Sequence, residues 1–200
     1  MPSPADATDE QAREPVFVYK PSLMGAPFEF RLAADALEWR KGRYEGRTPY
    51  DRIRRIRLSF RPMTMQSYRF VTEVWPEGGP KLTIASTSWK SVMEQERLDA
   101  AYGGFVTELS RRVGAAGGTP LLQTGAPAIL YWPGAVIVAG AALAVAVLIL
   151  RALQQQVWAA AAFLAVFLAL MLWQAAAFFG RNRPGVFRGD AVPPNVLPKA

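Results

Sequence analysis

Two long apolar runs near the end of the chain dominate its hydropathy pattern. The first covers residues 129–150 and the second residues 157–179, and neither contains a charged residue. At a helical rise of ~1.5 Å per residue, each run is long enough to cross a hydrocarbon core of ~30 Å. Only a short polar segment separates them. The pattern therefore predicts a transmembrane hairpin over residues 128–180.

Ahead of the hairpin, apolar and polar residues alternate over short stretches. Phe28, Phe30 and Leu32 alternate with charged residues, and similar alternation follows at residues 37–40 and 55–61. Two further stretches, 68–75 and 81–86, flank a turn rich in proline and glycine. A period of two is typical of strands with one buried face. The pattern predicts an antiparallel sheet.

One amphipathic helix is predicted between this sheet and the hairpin. Ser91 and Glu94 fit the capping box that begins many helices. Apolar residues at helical spacing, among them Tyr102, Phe105 and Leu109, then form one stripe. Gly114 is expected to take the left-handed position that ends the helix. Residues 16–113 are therefore predicted to form one small α+β domain.

The remaining segments show no periodic apolar pattern. Residues 1–15 are acidic and predict a disordered tail. Residues 114–127 are rich in glycine and alanine, which predicts a flexible linker. Residues 181–200 contain four prolines and predict an extended tail.

The order of motifs along residues 26–113 matches a known plan. Trp39 precedes a glycine turn, the segment 50–58 leads from an aromatic residue and an aspartate into a central strand, and Phe105 lies in the final helix. In this order the motifs resemble those of bacterial pleckstrin-homology-like (PH-like) domains. The resemblance implies an antiparallel sheet or barrel closed by one C-terminal helix. It also implies membrane-associated scaffolding or regulation, and it supplies no catalytic residues.

The composition argues against an enzyme. The 200 residues include no cysteine and no histidine, which removes disulfides, thiolate nucleophiles, and thiolate or imidazole metal sites. Carboxylates such as Asp35, Asp51 and Glu94 are isolated in the sequence, and no phosphate-binding loop or serine nucleophile motif is present. We expect no catalytic residues, no cofactor and no metal.

The net charge of +7 is concentrated in residues 40–61, which we call the basic segment. One hypothesis is that it binds the anionic inner leaflet, since each base near the surface contributes ~1 kcal/mol. The resemblance to PH-like domains places the turn at residues 40–43 near a headgroup, which would make a specific pocket. The alternative is a solvated sheet face whose arginines pair with glutamates on neighbouring strands.

A nucleic acid is not expected. The candidate lipid-binding residues are Arg40, Lys41, Arg43, Arg47, Arg52, Arg54, Arg55, Arg57 and Arg61.

Arginines flank the hairpin unevenly. One arginine, Arg151, lies in the connecting loop, whereas five lie beyond the two ends: Arg111, Arg112, Arg181, Arg183 and Arg188. Cytoplasmic flanks of membrane helices carry excess lysine and arginine. The N- and C-termini are therefore predicted to be cytoplasmic, with the hairpin in a bacterial inner membrane.

Small residues recur four positions apart in both apolar runs, a spacing that lets helices approach closely in lipid. They are predicted to pack the two helices of the hairpin together or, alternatively, to pack against a second copy or another membrane protein. The candidate packing residues are Ala135, Ala139, Gly140, Ala144, Ala161, Ala165 and Ala169.

Two functions follow from these patterns. The first is a non-catalytic, membrane-anchored PH-like module that docks on anionic inner-leaflet lipid or on a partner protein. The alternative is an accessory or assembly subunit of a larger membrane complex, which packs through its hairpin.

Overall fold

The computed structural model describes residues 14–62, 68–91 and 94–198. All but the last two residues of the predicted acidic tail lie outside these ranges. The chain divides into two compact units. The sheet unit combines Met1–Thr124 with Gly185–Ala200, and the hairpin unit is Gly125–Pro184.

The sheet unit begins with an antiparallel four-stranded sheet. Phe17, Phe30, Leu32 and Leu37 each expose 2% of their surface or less, so alternation along the strands does bury one face. The strands pair in chain order and are β1 (Val16–Tyr19), β2 (Phe28–Leu32), β3 (Ala36–Lys41) and β4 (Tyr44–Pro49).

A second sheet follows, and the two stretches predicted to flank the proline- and glycine-rich turn pair at one edge of it. Its first strands pair antiparallel and are β5 (Ile53–Pro62), β6 (Tyr68–Pro76) and β7 (Leu82–Ala85). A two-stranded ribbon then follows, made of β8 (Thr87–Trp89) and β9 (Gln95–Arg97). Ile56, Leu58 and Ile84 are fully buried, and they join the core residues of the first sheet.

Helix α1 (Asp99–Ala115) packs against this core. Tyr102, Phe105 and Leu109 are buried as the stripe predicts, and the hydroxyls of Tyr102 and Thr72 share a hydrogen bond of 2.7 Å. The predicted start at Ser91 is wrong, because the backbone of residues 95–97 pairs with β8 and is unavailable to a helix.

The segment predicted to be a flexible linker instead contains a strand. β10 (Leu121–Thr124) pairs parallel to β5, and Leu122 is 5% exposed. After the hairpin, β11 (Gly185–Val186) pairs antiparallel to β10. The second sheet therefore runs β11-β10-β5-β6-β7. The glycines around β10 favoured a linker in the prediction. The strand was missed because its partner β5 lies more than 60 residues earlier in the sequence.

The C-terminal segment also departs from the prediction, because it returns to the core of the sheet unit. Val196 is fully buried, and Phe187, Val192 and Leu197 pack partly buried against the core. These contacts are long-range, so the proline content of the segment gave no sign of them.

Gly114 lies inside α1 rather than ending it, and the returning segment crosses the helix there. A Cβ atom on Gly189 would lie 2.9 Å from the Cα of Gly114 and 2.5 Å from the carbonyl oxygen of Ser110. The crossing therefore requires glycine at position 189, and Gly114 gives it room.

The hairpin unit contains α2 (Ala128–Gln154) and α3 (Trp158–Arg181), both long and apolar enough to cross a membrane. The Tyr131 hydroxyl donates a hydrogen bond of 3.3 Å to the carbonyl oxygen of Phe179, and the two rings meet edge to face. In the chain, this unit is inserted between the neighbouring strands β10 and β11.

The predicted α+β class is confirmed, including two long apolar helices near the C-terminus. The predicted barrel is not found, because the strands of the described residues form separate sheets and none of these sheets closes.

Candidate functional site

The bases of the basic segment are divided among several surfaces. Arg40 and Arg47 lie on strands β3 and β4, whereas Arg55, Arg57 and Arg61 lie on β5. The remaining members occupy the ends or turns of strands: Lys41, Arg43, Arg52 and Arg54. The basic segment is therefore not one patch, although it is continuous in the sequence.

The outer side of β2, β3 and β4 balances its charges, and we call it the charge-paired face. Its residues form two rows across the strands, Glu29-Arg40-Glu45 and Arg31-Glu38-Arg47. The sign alternates along each row, an arrangement that stabilises cross-strand neighbours.

Ion pairs neutralise both bases that the basic segment contributes to this face. The Arg40 guanidinium lies 3.7 Å from Glu29 and 3.5 Å from Glu45. Arg47 lies 3.6 Å from Glu38 and also pairs with Asp35. For Arg40 and Arg47, the structure therefore agrees with the alternative to lipid binding, a solvated sheet face whose arginines pair with glutamates on neighbouring strands.

The outer side of β5, β6 and β7 has a different charge pattern, and we call it the basic face. The pairing register sets Arg55 opposite Trp75, Arg57 opposite Glu73 and Arg61 opposite Arg69. The cations of the basic face are Arg55, Arg57, Arg61, Arg69 and Lys81, and we include Lys41 because its ammonium reaches Lys81 from the end of β3. Among the described residues of this face, Glu73 is the one carboxylate.

Trp75 holds three of these cations without neutralising them. The guanidinium carbons of Arg55 and Arg57 lie 5.1 Å and 5.5 Å from the centre of the Trp75 ring, and the Lys81 ammonium lies 5.7 Å from it. Cation–π contacts of this kind are attractive but leave the positive charge in place. Arg57 also donates a hydrogen bond of 2.9 Å to the neutral amide oxygen of Gln123.

Glu73 is 8% exposed and serves two bases at once. One of its oxygens, Oε1, accepts a hydrogen bond of 2.9 Å from Lys81 and lies 3.2 Å from the Arg61 guanidinium. The Lys41 ammonium donates to the backbone oxygen of Lys81 at 3.3 Å. The face therefore keeps a surplus of positive charge after all its ion pairs are made.

Two pKa shifts reflect this crowding of bases. Burial, with the nearby Lys81 ammonium, lowers the pKa of Lys41. Burial, with the neighbouring Arg55 guanidinium, lowers the pKa of Arg57. Each shift has the sign expected where cations lie close together and partly out of water. An anion on this face would relieve both effects.

Four residues of the basic face lie outside the basic segment: Arg69, Glu73, Trp75 and Lys81. The charge count along the sequence missed them, because it treats each stretch separately. The sequence did contain a signal for Arg69 and Trp75. Alternation along the predicted strand at residues 68–75 puts these two residues on the same side of that strand.

Three predicted lipid-binding residues lie away from both faces. Arg54 pairs with Glu77 where the register of β5 and β6 shifts. Arg43 and Arg52 are exposed at turns. The structure therefore does not bring these three residues together with the basic face.

The predicted packing residues of the hairpin are divided as well. Ala161 is buried and Ala135 is half-buried. The other five, Ala139, Gly140, Ala144, Ala165 and Ala169, are exposed. A Cβ atom added to Gly140 would meet no atom within 4 Å. Five of the seven residues are therefore exposed within the hairpin unit, and packing against a second copy or another membrane protein stays a prediction for them.

The chemistry that this site offers is anion binding. No group of three or more acidic, histidine or cysteine side chains suited to a metal occurs within residues 14–62, 68–91 and 94–198. Comparisons with models of protein families, with curated proteins and with solved structures found no match to this chain.

Proposed function

We propose that this protein is a non-catalytic, membrane-anchored module whose basic face docks on the anionic lipid of the inner leaflet. The observation that carries the proposal is the segregation of charge between two outer sheet faces. The charge-paired face cancels its charges, whereas the basic face gathers cations around the carboxylate of Glu73. Each base near an anionic surface contributes ~1 kcal/mol, so such a face gains several times that amount.

The apolar helices α2 and α3 supply the anchor in this proposal. Strand β10 ends shortly before α2, β11 begins shortly after α3, and the two strands pair. A chain that crosses the bilayer twice returns to its starting side, as this pairing requires. Arg181 in the last turn of α3, with Arg183 and Arg188 beyond it, outnumbers Arg151 in the last turn of α2 at the other end of the hairpin. This excess favours the cytoplasmic side for the sheet unit.

The anchor also bears on affinity, because its connections to the sheet unit are short. Residues 125–127 and 182–184 alone join the strands to the helices. So short a segment reaches no more than ~14 Å even when extended. A face tethered this closely meets the bilayer at a high effective concentration, so weak individual contacts suffice.

We also propose that the sheet unit is a PH-like domain. Two antiparallel sheets in succession, β1–β4 and β5–β7, precede one helix that packs on their common core. This order supports the resemblance seen in the sequence. β10, β11 and the buried C-terminal segment are additions to that plan.

The absence of cysteine allows a direct test with single labels on the full-length protein. Pro80→Cys places a fluorophore in the exposed turn beside Lys81, and Glu45→Cys places one on the charge-paired face. Each labelled protein is reconstituted in nanodiscs of neutral or anionic lipid that contain headgroup-attached quenchers. Anionic lipid should increase quenching of the label at position 80 only, and added salt should reverse the increase.

Two results would contradict the docking proposal. One is an equal response of both labels, since the basic face would then have no preference for lipid. The other is quenching at position 80 that is the same in neutral and anionic discs.

A second candidate function, an accessory subunit of a membrane complex, is favoured by the exposed small residues of the hairpin. Gly140 and Ala144 lie on the outside of α2, where they do not pack the hairpin itself. Gly140→Leu with Ala144→Leu would block close approach of another helix. Crosslinking in native membranes should then lose a partner that the unmodified protein retains. Identical crosslinks in both proteins would oppose this candidate.

A further inference from the structure

A cavity of about 170 Å³ lies at one end of the basic face. Arg61 and Arg69 form its charged wall, and the rings of Tyr19, Phe28 and Trp89 line it together with smaller apolar groups. At ~30 Å³ for each water molecule in the liquid, this volume holds five or six water-sized atoms. That is the size of one phosphate group.

The position of Arg69 in the sheet is unfavourable without a ligand. It lies directly opposite Arg61 in the β5–β6 pair, and like charges at such positions destabilise a sheet. Arg61 is compensated by Glu73 at 3.2 Å. Among the described residues, no ion pair joins Arg69 to a carboxylate.

The Nε atom of Arg69 adds a second, independent observation. It is buried and has no hydrogen-bond partner. A buried donor left without an acceptor destabilises the folded state, and such groups are few in folded proteins. The same guanidinium that carries this unsatisfied donor also lines the cavity.

The rest of the cavity offers no competing anion. The Tyr19 hydroxyl donates a hydrogen bond of 2.6 Å to the backbone oxygen of Thr83, and burial raises the pKa of Tyr19 far above neutrality. Tyr19 therefore lines the cavity as a neutral phenol and supplies no negative charge to Arg69. The remaining polar side chains of the lining, those of Thr83 and Thr87, are uncharged.

We propose that this cavity binds a phosphomonoester group, with Arg69 as the principal ligand and Arg61 beside it. A guanidinium presents two parallel donors that match phosphate oxygens. A phosphomonoester carries nearly two negative charges, which balances the surplus of Arg61, Arg69 and Lys81 over Glu73. The aromatic wall favours an apolar body attached to the phosphate.

This group occurs in phosphatidic acid and in soluble phosphate esters. As a lipid site the inference rests on the proposed function, because the cavity lies on the face that docks on the membrane. The basic face attracts any anionic lipid, whereas the cavity would select one headgroup among them.

The test uses the full-length protein in nanodiscs, with tryptophan emission as the readout and Trp89→Phe to assign the signal of the cavity. Neutral discs are titrated with inorganic phosphate or glycerol 3-phosphate, with chloride at equal ionic strength as the control. Separate discs contain phosphatidic acid or phosphatidylserine at equal surface charge. A saturable change with the phosphomonoester probes, in either form, supports the site.

Three variants sharpen the measurement. Arg69→Gln should weaken binding of the responding probe at least tenfold. Arg69→Lys keeps the charge but loses the paired donors, so an intermediate affinity is expected. Arg40→Gln, on the charge-paired face and outside the cavity, should change the affinity less than twofold. Thermal unfolding of each variant checks that it is folded.

The outcomes separate the site from the docking proposal. A response to phosphatidic acid alone identifies a headgroup as the source, and a response to the soluble probes identifies a free ester. Equal affinities for the unmodified protein and Arg69→Gln, or an equal effect of chloride, would overturn the site. The label at position 80 then still reports whether the basic face docks on phosphatidylserine.

Discussion

The charge-paired face and the basic face consist of similar strands but differ in net charge. The first is balanced, and the second is positive. Both are outer sheet faces rich in arginine. On the charge-paired face, Arg40 lies between Glu29 and Glu45 in its row. On the basic face, Arg55 lies opposite Trp75 and Arg61 opposite Arg69. The charge of a sheet face is therefore set by cross-strand neighbours rather than by the density of bases along the sequence.

The two faces also hold their arginines by different forces. Exposed ion pairs contribute between about 0 and 1 kcal/mol each and cancel the charge. Stacking on Trp75 gives Arg55 and Arg57 a comparable attraction and leaves the charge free. An indole is therefore a means to fix bases on a strand while they stay available to an external anion.

The largest expected effect comes from neutralising the basic face. Changing Lys41, Arg55 and Arg57 together to glutamine should weaken docking on anionic lipid by about 3 kcal/mol, or roughly a hundredfold. Quenching of the label at position 80, measured against the anionic lipid content of the nanodisc, gives the affinity.

The matched control changes Arg31, Arg40 and Arg47 to glutamine on the charge-paired face. That triple variant removes the same formal charge, but from bases that already have carboxylate partners. Its affinity should fall less than threefold. Equal losses in the two triple variants would mean that net charge alone governs docking, and the distinction between the faces would fail.

The next effect concerns Glu73, the carboxylate that pairs with Arg61 and Lys81 on the basic face. Glu73→Gln should lower the free energy of unfolding by about 1–2 kcal/mol, because Lys81 and Arg61 lose a largely buried charged partner. The same change should raise affinity for anionic lipid roughly fivefold, since it frees one positive charge. Urea denaturation and the nanodisc assay measure the two effects separately.

Glu45→Gln is the control for this pair of effects. Its side chain is 73% exposed, and its ion pair with Arg40 spans 3.5 Å. Stability should change by less than about 0.5 kcal/mol. A Glu73 variant that lost stability without gaining affinity would show that its cations are occupied within the fold.

The helices and strands of this protein could be predicted from the sequence better than the way in which they pair and pack. The hairpin, the strands with one buried face and the stripe on α1 each follow from local periodicity. β10 and the buried Val196 depend on partners far away in the chain, so no local pattern reveals them. The candidate site was half predicted for the same reason. Arg55, Arg57 and Arg61 lie in the basic segment, whereas Trp75 joins them only through the register.

Glu108, like Glu73, is one carboxylate that serves two bases. It accepts hydrogen bonds from Arg111 and Arg112 at 2.6–2.7 Å, and these lower its pKa from the usual 4.5 to about 2. Because the folded pKa lies below the unfolded one, the stabilisation is complete above pH 4.5. It is lost as the pH falls from 4.5 to about 2.

The expected size of that acid loss is about 1 kcal/mol, after allowance for the partial exposure of the group. Glu108→Gln should remove this part of the pH dependence of the free energy of unfolding. Glu73 and Glu108 have the same two-base arrangement but only Glu73 lies on the basic face. The Glu108 variant should therefore leave docking unchanged, and a change would link docking to helix α1.

The smallest expected effect is that of Arg40→Gln alone. The Arg40 side chain is 60% exposed and its ion pairs of 3.5 Å and 3.7 Å include no hydrogen bond, so stability should fall by less than about 0.5 kcal/mol. Salt should reduce even that difference, because it screens exposed pairs. A loss above 1 kcal/mol that persists in salt would mean that the rows of the charge-paired face act as one network. The pairing would then serve the fold, and its neutrality would be a by-product of stability rather than the counterpart of a face left charged for lipid.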